Sequence, residues 1–339
     1  MDLRGGYVLL PQPIEEEALK LLAEQGLEVV QAADLKEKTV AQLMKGARAI
    51  ILRTGITITE NLLGQAEDLW TISRTGGGVD NVDLSASTLR GIVVTSSLGV
   101  NTDSVVEHCC ALILALFKQL FLLDRETRAG NFRIRYGNIP SDLQNKSLGI
   151  LGFGRIGSRL ARVCSSAFGM KVLAFDRYLS EDQKGKYSPL VSFVSIEELF
   201  TRSDVVSVHL PLNDETRGMV DRKYLSLMKP HAFIINTSRG GVIVEKDLVC
   251  ALQESTIMGA GLDVLEEEPI KDDNPILKLK NVILTPHTAA LTKECVVRMA
   301  TSAVWRTLDL FSGFIPENIA NPDVLEHPKW RSLKKRREE

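Results

Sequence analysis

The run Gly152-Phe-Gly154-Arg-Ile-Gly157 constrains this chain more than any other feature. Three glycines at that spacing are common, so the flanks decide their meaning. An apolar stretch, Leu148–Leu151, precedes them and reads as a buried strand. The residues that follow place Ile156, Leu160, Val163 and Ala167 on one helical face. Asp176 lies 19 residues past Gly157, at the end of the next β-rich run. A strand, a glycine turn, a helix and a delayed acid make a dinucleotide-binding unit. Gly152 is expected to form the tight turn, Gly154 to let backbone approach a pyrophosphate, and Gly157 to let helix meet strand. The helix N-terminus then offers free N–H groups to the phosphates. Asp176 would accept hydrogen bonds from ribose hydroxyls and repel a 2′-phosphate, so NAD is favoured over NADP. Arg177 pulls the other way, because an arginine can hold that phosphate.

The 339 residues exceed what one core serves, and two domains are expected. In the first hundred residues, β-rich runs at Tyr7–Leu10, Leu27–Gln31, Ala49–Arg53, Thr71–Arg74 and Ile92–Thr95 alternate with amphipathic segments. Strands separated by helices imply parallel βαβ units, so residues 1–100 read as a small doubly wound domain. One long helix is predicted over 102–123. A second α/β unit follows to residue 287, with strands at Val172–Phe175, Val205–His209, Phe233–Asn236, Gly261–Val264 and Val282–Thr285. Residues 177–194 are polar, with a short strand at Val191–Val194. The remainder, 288–339, is mainly one helix, too short for a third domain and able to pack back on the first.

Composition excludes other classes. Hydrophobic residues at 44% and charged residues at 25% rule out a disordered chain. A net charge of −2 gives no bulk attraction for nucleic acid or anionic lipid, and neither partner is expected. The basic run Arg331–Arg337 reads as a solvated tail. The opening Met1–Gly6 lacks a basic segment followed by a long apolar run, so no signal peptide is expected. The most apolar stretch, Val105–Leu123, has only nine uninterrupted residues, Cys109–Phe117, against about 20 for a bilayer span. Five cysteines without Cys-x-x-Cys fit free thiols in a reducing cytoplasm and no metal site.

Three late segments each end a predicted strand: Asn236-Thr-Ser-Arg239-Gly-Gly, Gly261-Leu-Asp263 through Glu268-Pro, and Thr285-Pro-His287. Ligands of open α/β sheets bind beyond the carboxyl ends of the strands. An arginine, a carboxylate and a histidine there suit a keto acid. Arg239 would pair with its carboxylate, and His287 would exchange a proton with the C2 oxygen. Plainer readings exist for each alone: a surface arginine, one of three solvated glutamates, a histidine at a helix start.

The ordered series Arg74-Thr-Gly-Gly-Gly-Val-Asp-Asn-Val-Asp83, Ser104-Val-Val-Glu-His108, Gly149 to Gly157, His209-Leu-Pro-Leu212, Ile235 to Gly240, Gly259 to Val264 and Thr285-Pro-His287 covers nearly the whole chain. It resembles the D-isomer-specific 2-hydroxyacid dehydrogenases, the family of phosphoglycerate dehydrogenase and hydroxypyruvate reductase. The resemblance implies a Rossmann NAD-binding domain inserted into a split, flavodoxin-like substrate domain. It implies an NAD-dependent oxidoreductase that interconverts a small 2-keto acid and the (R)-2-hydroxy acid. Arg239 then binds the substrate carboxylate and carbonyl oxygen, His287 is the acid/base, and Glu268 holds and charges it. The amides of Gly77 and Gly78 assist with the carboxylate. Arg155 and Ile156 cover the pyrophosphate, Asp263 holds the nicotinamide carboxamide, and Pro211, Thr237 and Ser238 line the cleft. Arg53 and Thr54 correspond to a pair that meets a distal phosphate in the phosphoglycerate branch, or Arg53 is only a strand-end surface arginine. The helix after residue 101 is the family's dimer element, so a homodimer is implied. Corepressors of the same fold keep a similar Arg-Glu-His set, so a nucleotide-sensing scaffold with weak or no turnover is the alternative.

Overall fold

The computed structural model describes residues 6–335. The opening Met1–Gly5 and the last residues of the basic run, Arg336 and Arg337, lie outside the described residues. The chain divides into two compact units. One comprises the chain up to Asn101 together with the chain from Leu291 onward, and the other is Thr102–Ala290.

The first unit runs β1 (Tyr7–Leu10), α1 (Glu16–Glu24), β2 (Val29–Gln31), α2 (Glu37–Met44), β3 (Ala47–Leu52), α3 (Glu60–Leu63), β4 (Thr71–Arg74), α4 (Leu84–Leu89) and β5 (Val93–Ser96). Its strands are parallel in the order β2-β1-β3-β4-β5, the flavodoxin-like winding. Alternation along the strands sorts the core. Val8 and Leu10 face one layer, and Leu9 faces the other. Both faces are buried, as parallel sheets require.

The second unit runs α5 (Thr102–Phe117), α6 (Leu120–Arg128), β6 (Ser147–Leu151), α7 (Arg155–Phe168), β7 (Lys171–Phe175), α8 (Glu181–Gly185), β8 (Val191–Phe193), α9 (Ile196–Arg202), β9 (Val205–Val208), α10 (Arg222–Leu227), β10 (Phe233–Asn236), α11 (Glu245–Gln253), β11 (Gly259–Leu262) and β12 (Val282–Leu284). Its parallel sheet has the order β12-β11-β10-β9-β6-β7-β8. Winding reverses at β6, whose neighbours are β7 and β9. A ligand crevice belongs at such a switch point. The chain then returns to the first unit as α12 (Lys293–Phe311). There Phe311 and Trp330 meet Trp70 edge-on, at 5.6 and 6.2 Å between ring centroids.

Four expectations shift. The helix predicted over 102–123 breaks in two. Gln119 turns left-handed (φ 50°), and α6 leaves α5 at 55°. The apolar run Leu120–Leu123 hides this break in the sequence, but α6 buries none of its residues. Among the described residues, no single helix is long and apolar enough to cross a membrane; only this bent pair is, taken together. The polar stretch 177–194 gains the short helix α8, started by a reciprocal Ser180–Gln183 capping box. Strand β11 begins at Gly259, because Gly261 must sit inside it: a Cβ there would stand 3.2 Å from Leu112 Cβ of α5. The second boundary falls after Ala290, not 287, since buried Asp263 binds the amides of Thr288 and Ala289 and keeps them with β11.

The start of the basic tail is also tied down. Lys334 makes a bridge to Phe314, with Ile315 N donating to Lys334 O at 2.9 Å.

Candidate active site

The glycine turn lies between β6 and α7. Gly152 has φ 93°, which an L side chain resists, and a Cβ there would stand 2.7 Å from His209 O. A Cβ on Gly157 would stand 2.3 Å from Gly152 O, so the helix packs directly on the turn. Gly154 is different. It is the N-cap of α7, no side chain caps it, and the space beside its Cα is open. The N–H groups of Arg155 and Ile156 begin the helix there. An uncapped helix start with an open glycine face fits a pyrophosphate.

Asp176 directly follows β7 and closes the turn from the side. Its Oδ2 accepts from Phe153 N at 2.8 Å, and Oδ1 accepts from Tyr178 N at 2.9 Å. The carboxylate is therefore fixed beside the glycines, with acceptor capacity left for hydroxyls. Arg177 points its charge at Glu215, 3.6 Å away, and the Tyr178 hydroxyl bonds the same carboxylate. The arginine that could receive a 2′-phosphate thus already has a counter-charge. Pro211 follows β9 on the same sheet edge, its carbonyl held by the Thr216 hydroxyl at 2.5 Å.

The three charged candidates follow adjacent strands. Arg239 comes after β10, Glu268 after β11 and His287 after β12. Buried Asn236 builds the Arg239 turn. Its Oδ1 accepts from Ser238 N and Oγ at 3.0 and 2.8 Å, and its Nδ2 donates to Arg239 O at 2.9 Å. Gly240 then touches the next loop so closely that a Cβ would stand 1.9 Å from the Leu265 carbonyl. Leu265 N in turn donates to Glu268 Oε1 at 3.0 Å. Glycine at 240 thus sets the arginine loop against the glutamate loop. Thr237 is buried and contacts Cys109 Sγ of α5 at 3.2 Å.

Glu268 Oε2 lies 2.7 Å from His287 Nδ1. Partial burial pushes the Glu268 carboxyl up, but the His287 hydrogen bond, the Leu265 amide and the charges of His287 and Arg239 outweigh it, and it rests below its ordinary value. A carboxylate at Nδ1 fixes the proton on that nitrogen and leaves Nε2 for chemistry. The histidine backbone is left-handed (φ 55°), a conformation a non-glycine residue adopts only when held. The Asp263 and Thr285 carbonyls hold it, accepting from His287 N at 2.8 and 3.0 Å.

Asp263 is 1% exposed. Its oxygens accept from the Thr285 hydroxyl (2.6 Å), Thr288 N (2.8 Å) and Ala289 N (2.9 Å). Burial turns this acid inward, to shape the histidine turn. Arg53 follows β3, pairs with Glu15 at 2.9 Å and donates to Pro13 O at 3.3 Å, so its charge is compensated inside the first unit. Thr54 is next to it, exposed. Gly77 and Gly78 lie half-buried in the loop after β4, on the same sheet edge as Arg53. Asn81 joins these loops, accepting from Arg74 Nε at 2.8 Å and donating to the Arg53 and Ile56 carbonyls. Sequence reading missed Asn81 and Asn236 as organisers. Their signal was position: Asn236 ends β10 and Asn81 lies in the loop after β4, each within a few residues of a glycine run.

Residues 110–289 match the model of the D-isomer specific 2-hydroxyacid dehydrogenase NAD binding domain. The chain is 36% identical over 329 residues to a D-3-phosphoglycerate dehydrogenase of Methanocaldococcus jannaschii, covering 96% of this chain and 62% of that protein. The chain thus spans under two thirds of that relative's length. It is 38% identical over 292 residues to a glyoxylate reductase of Aeropyrum pernix, covering 84% and 86% of the two. Among solved structures, D-lactate dehydrogenase from Aquifex aeolicus, complexed with NAD and lactic acid, matches with a TM-score of 0.81 and 31% identity, covering 95% of this chain and 98% of that one. Residues 110–289 are an NAD-binding domain, and the chain belongs to the D-isomer specific 2-hydroxyacid dehydrogenase family.

Proposed function

We propose that this protein is an NAD-dependent dehydrogenase that interconverts a small 2-keto acid and the (R)-2-hydroxy acid. The observation that carries this reading is the His287–Glu268 pair at 2.7 Å, with Arg239 on the neighbouring strand end of an NAD-binding domain. When bound, the nicotinamide supplies the hydride to C2 of the keto acid, or takes it back. Arg239 pairs with the substrate carboxylate and stabilises charge growing on the C2 oxygen. His287 gives its Nε2 proton to that oxygen in reduction and removes it in oxidation. Glu268 orients the ring and balances its positive form.

The glycine turn at 152–157 takes the pyrophosphate, and Asp176 takes the adenosine ribose. The counter-charge on Arg177 supports NAD over NADP. The first unit recognises the substrate, with the Gly77 and Gly78 amides on its carboxylate. Compensated Arg53 argues for substrates without a second anion, as glyoxylate is and 3-phosphohydroxypyruvate is not. Exposed Leu120, Phe121, Phe132 and Ile139 supply apolar surface for a homodimer, and five free thiols suit the cytoplasm.

The deciding experiment follows NADH consumption with glyoxylate, hydroxypyruvate, pyruvate, 3-phosphohydroxypyruvate and a branched keto acid. Turnover of at least one small acid is expected. Tight NADH binding with no consumption across the panel would instead support a nucleotide-sensing scaffold.

A further inference from the structure

Helix α5 packs along β10 and β11, with Phe117 against Phe233 at the start of β10, and two consecutive residues in its first half reach the loops after the strands. Cys109 contacts Thr237 after β10, and His108 Nε2 lies 3.0 Å from Thr285 Oγ1 after β12. The proton count on this second contact is fixed. Thr285 Oγ1 has one proton, and it stands 2.6 Å from Asp263 Oδ1, which can only accept. The hydroxyl therefore donates to Asp263, and His108 must donate to the hydroxyl. His108 carries its proton on Nε2. The same nitrogen lies 3.7 Å from Asp263 Oδ1, so it also faces the buried carboxylate directly.

Asp263 matters because of what it holds. Its carboxylate binds the amides of Thr288 and Ala289, and its carbonyl binds the amide of left-handed His287. The turn is thus gripped from within by one buried acid. Its Oδ1 is shared by the Thr288 amide and the Thr285 hydroxyl, and His108 stands behind that hydroxyl.

We propose that His108 is a positioning residue: its Nε2–H, given to Thr285, orients that hydroxyl onto Asp263 and so fixes the turn that presents His287. The inference rests on His287 being the acid/base of the proposed reaction. It acts through two hydrogen bonds, from His108 to Thr285 and from Thr285 to Asp263.

The test compares His108→Leu, which keeps bulk and loses the donor, with His108→Gln, whose amide N–H reaches about as far as Nε2. Two measurements are made on the whole protein: keto-acid reduction, and hydrogen–deuterium exchange of the peptide spanning 285–290. In His108→Leu, kcat should fall about 3- to 10-fold, the worth of one net hydrogen bond, while the NADH Kd stays within about twofold. Exchange at Thr288 and Ala289 should quicken by a similar factor. His108→Gln should restore both. Thr285→Val should match His108→Leu, and the double variant should lose no more than either alone. Wild-type kcat and exchange in His108→Leu would overturn the proposal, as would equal damage in His108→Gln. If the wild type reduces no keto acid, the activity reading fails, and unchanged exchange in His108→Leu still decides against the positioning role.

Discussion

Two strand-end clusters in this molecule use similar residues to opposite effect. After β10, β11 and β12, Arg239, Glu268 and His287 remain partly exposed, and the groups that hold them are mostly backbone or buried. Asn236 and Asp263, each 1% exposed, do the holding. After β3 and β4, Arg53 and Arg74 stand beside a glycine run too, but their charges turn inward. Arg53 is paired with Glu15, and Arg74, 8% exposed, donates to Asn81. An arginine near glycines at the end of a parallel strand is therefore no evidence of ligand binding by itself. What differs is the setting: Arg74 is 8% exposed and Arg53 is tied to Glu15, whereas Arg239 is only partly buried and its charge helps to lower the Glu268 carboxyl.

The comparison breaks most sharply at His287. His287→Ala should lower kcat by about 10²–10⁴ while NADH affinity is kept, measured by steady-state rates and fluorescence titration. Wild-type-like turnover would remove the second unit's cluster from the chemistry.

Asp176→Ala should reduce the preference for NADH over NADPH by about 10- to 150-fold in kcat/KM, the worth of a charge-assisted hydrogen bond. A wild type that uses both cofactors equally would mean that Glu215 does not quench Arg177.

A smaller effect concerns His209, whose carbonyl lies against Gly152. Burial pulls its pKa from 6.5 down to about 4, so the folded state keeps this ring neutral. The unfolded chain takes up a proton below about 6.5, so stability should fall as pH drops from 6.5 toward 4. Denaturant melts of His209→Asn should show a flatter profile across that window. An unchanged slope would place the titration elsewhere.

The smallest effect is expected in the first unit. Arg53→Ala should change kcat/KM by about twofold or less for glyoxylate and for 3-phosphohydroxypyruvate alike, since its ion pair is an internal, partly exposed one. A selective loss of about 10-fold or more for the phosphorylated acid would show that Arg53 leaves Glu15 to read a second anion, and the contrast between the units would dissolve.

Much of this was legible in advance because the information is local. The glycine turn works through Cβ atoms that cannot exist at Gly152 and Gly157, and spacing alone exposes that constraint. Parallel strands announce themselves as short β-rich runs between helical segments, so Tyr7–Leu10, Thr71–Arg74 and Phe233–Asn236 could be read to the residue. The helix break at Gln119 could not, because the apolar pattern continues past it and only the loss of a packing partner ends α5.

The chain order by itself determined that Arg239, Glu268 and His287 would end successive strands, since a parallel sheet brings every carboxyl end to one edge. It could not determine the company each side chain keeps. Glu15 is 38 residues from Arg53, and His108 is 177 from Thr285. Those pairings arise only when the sheets form and helices settle across their ends. Asp263 shows the division: its type and its place at a strand end are legible in the sequence, but its burial and its bonds to Thr285, Thr288 and Ala289 come only with the packed structure.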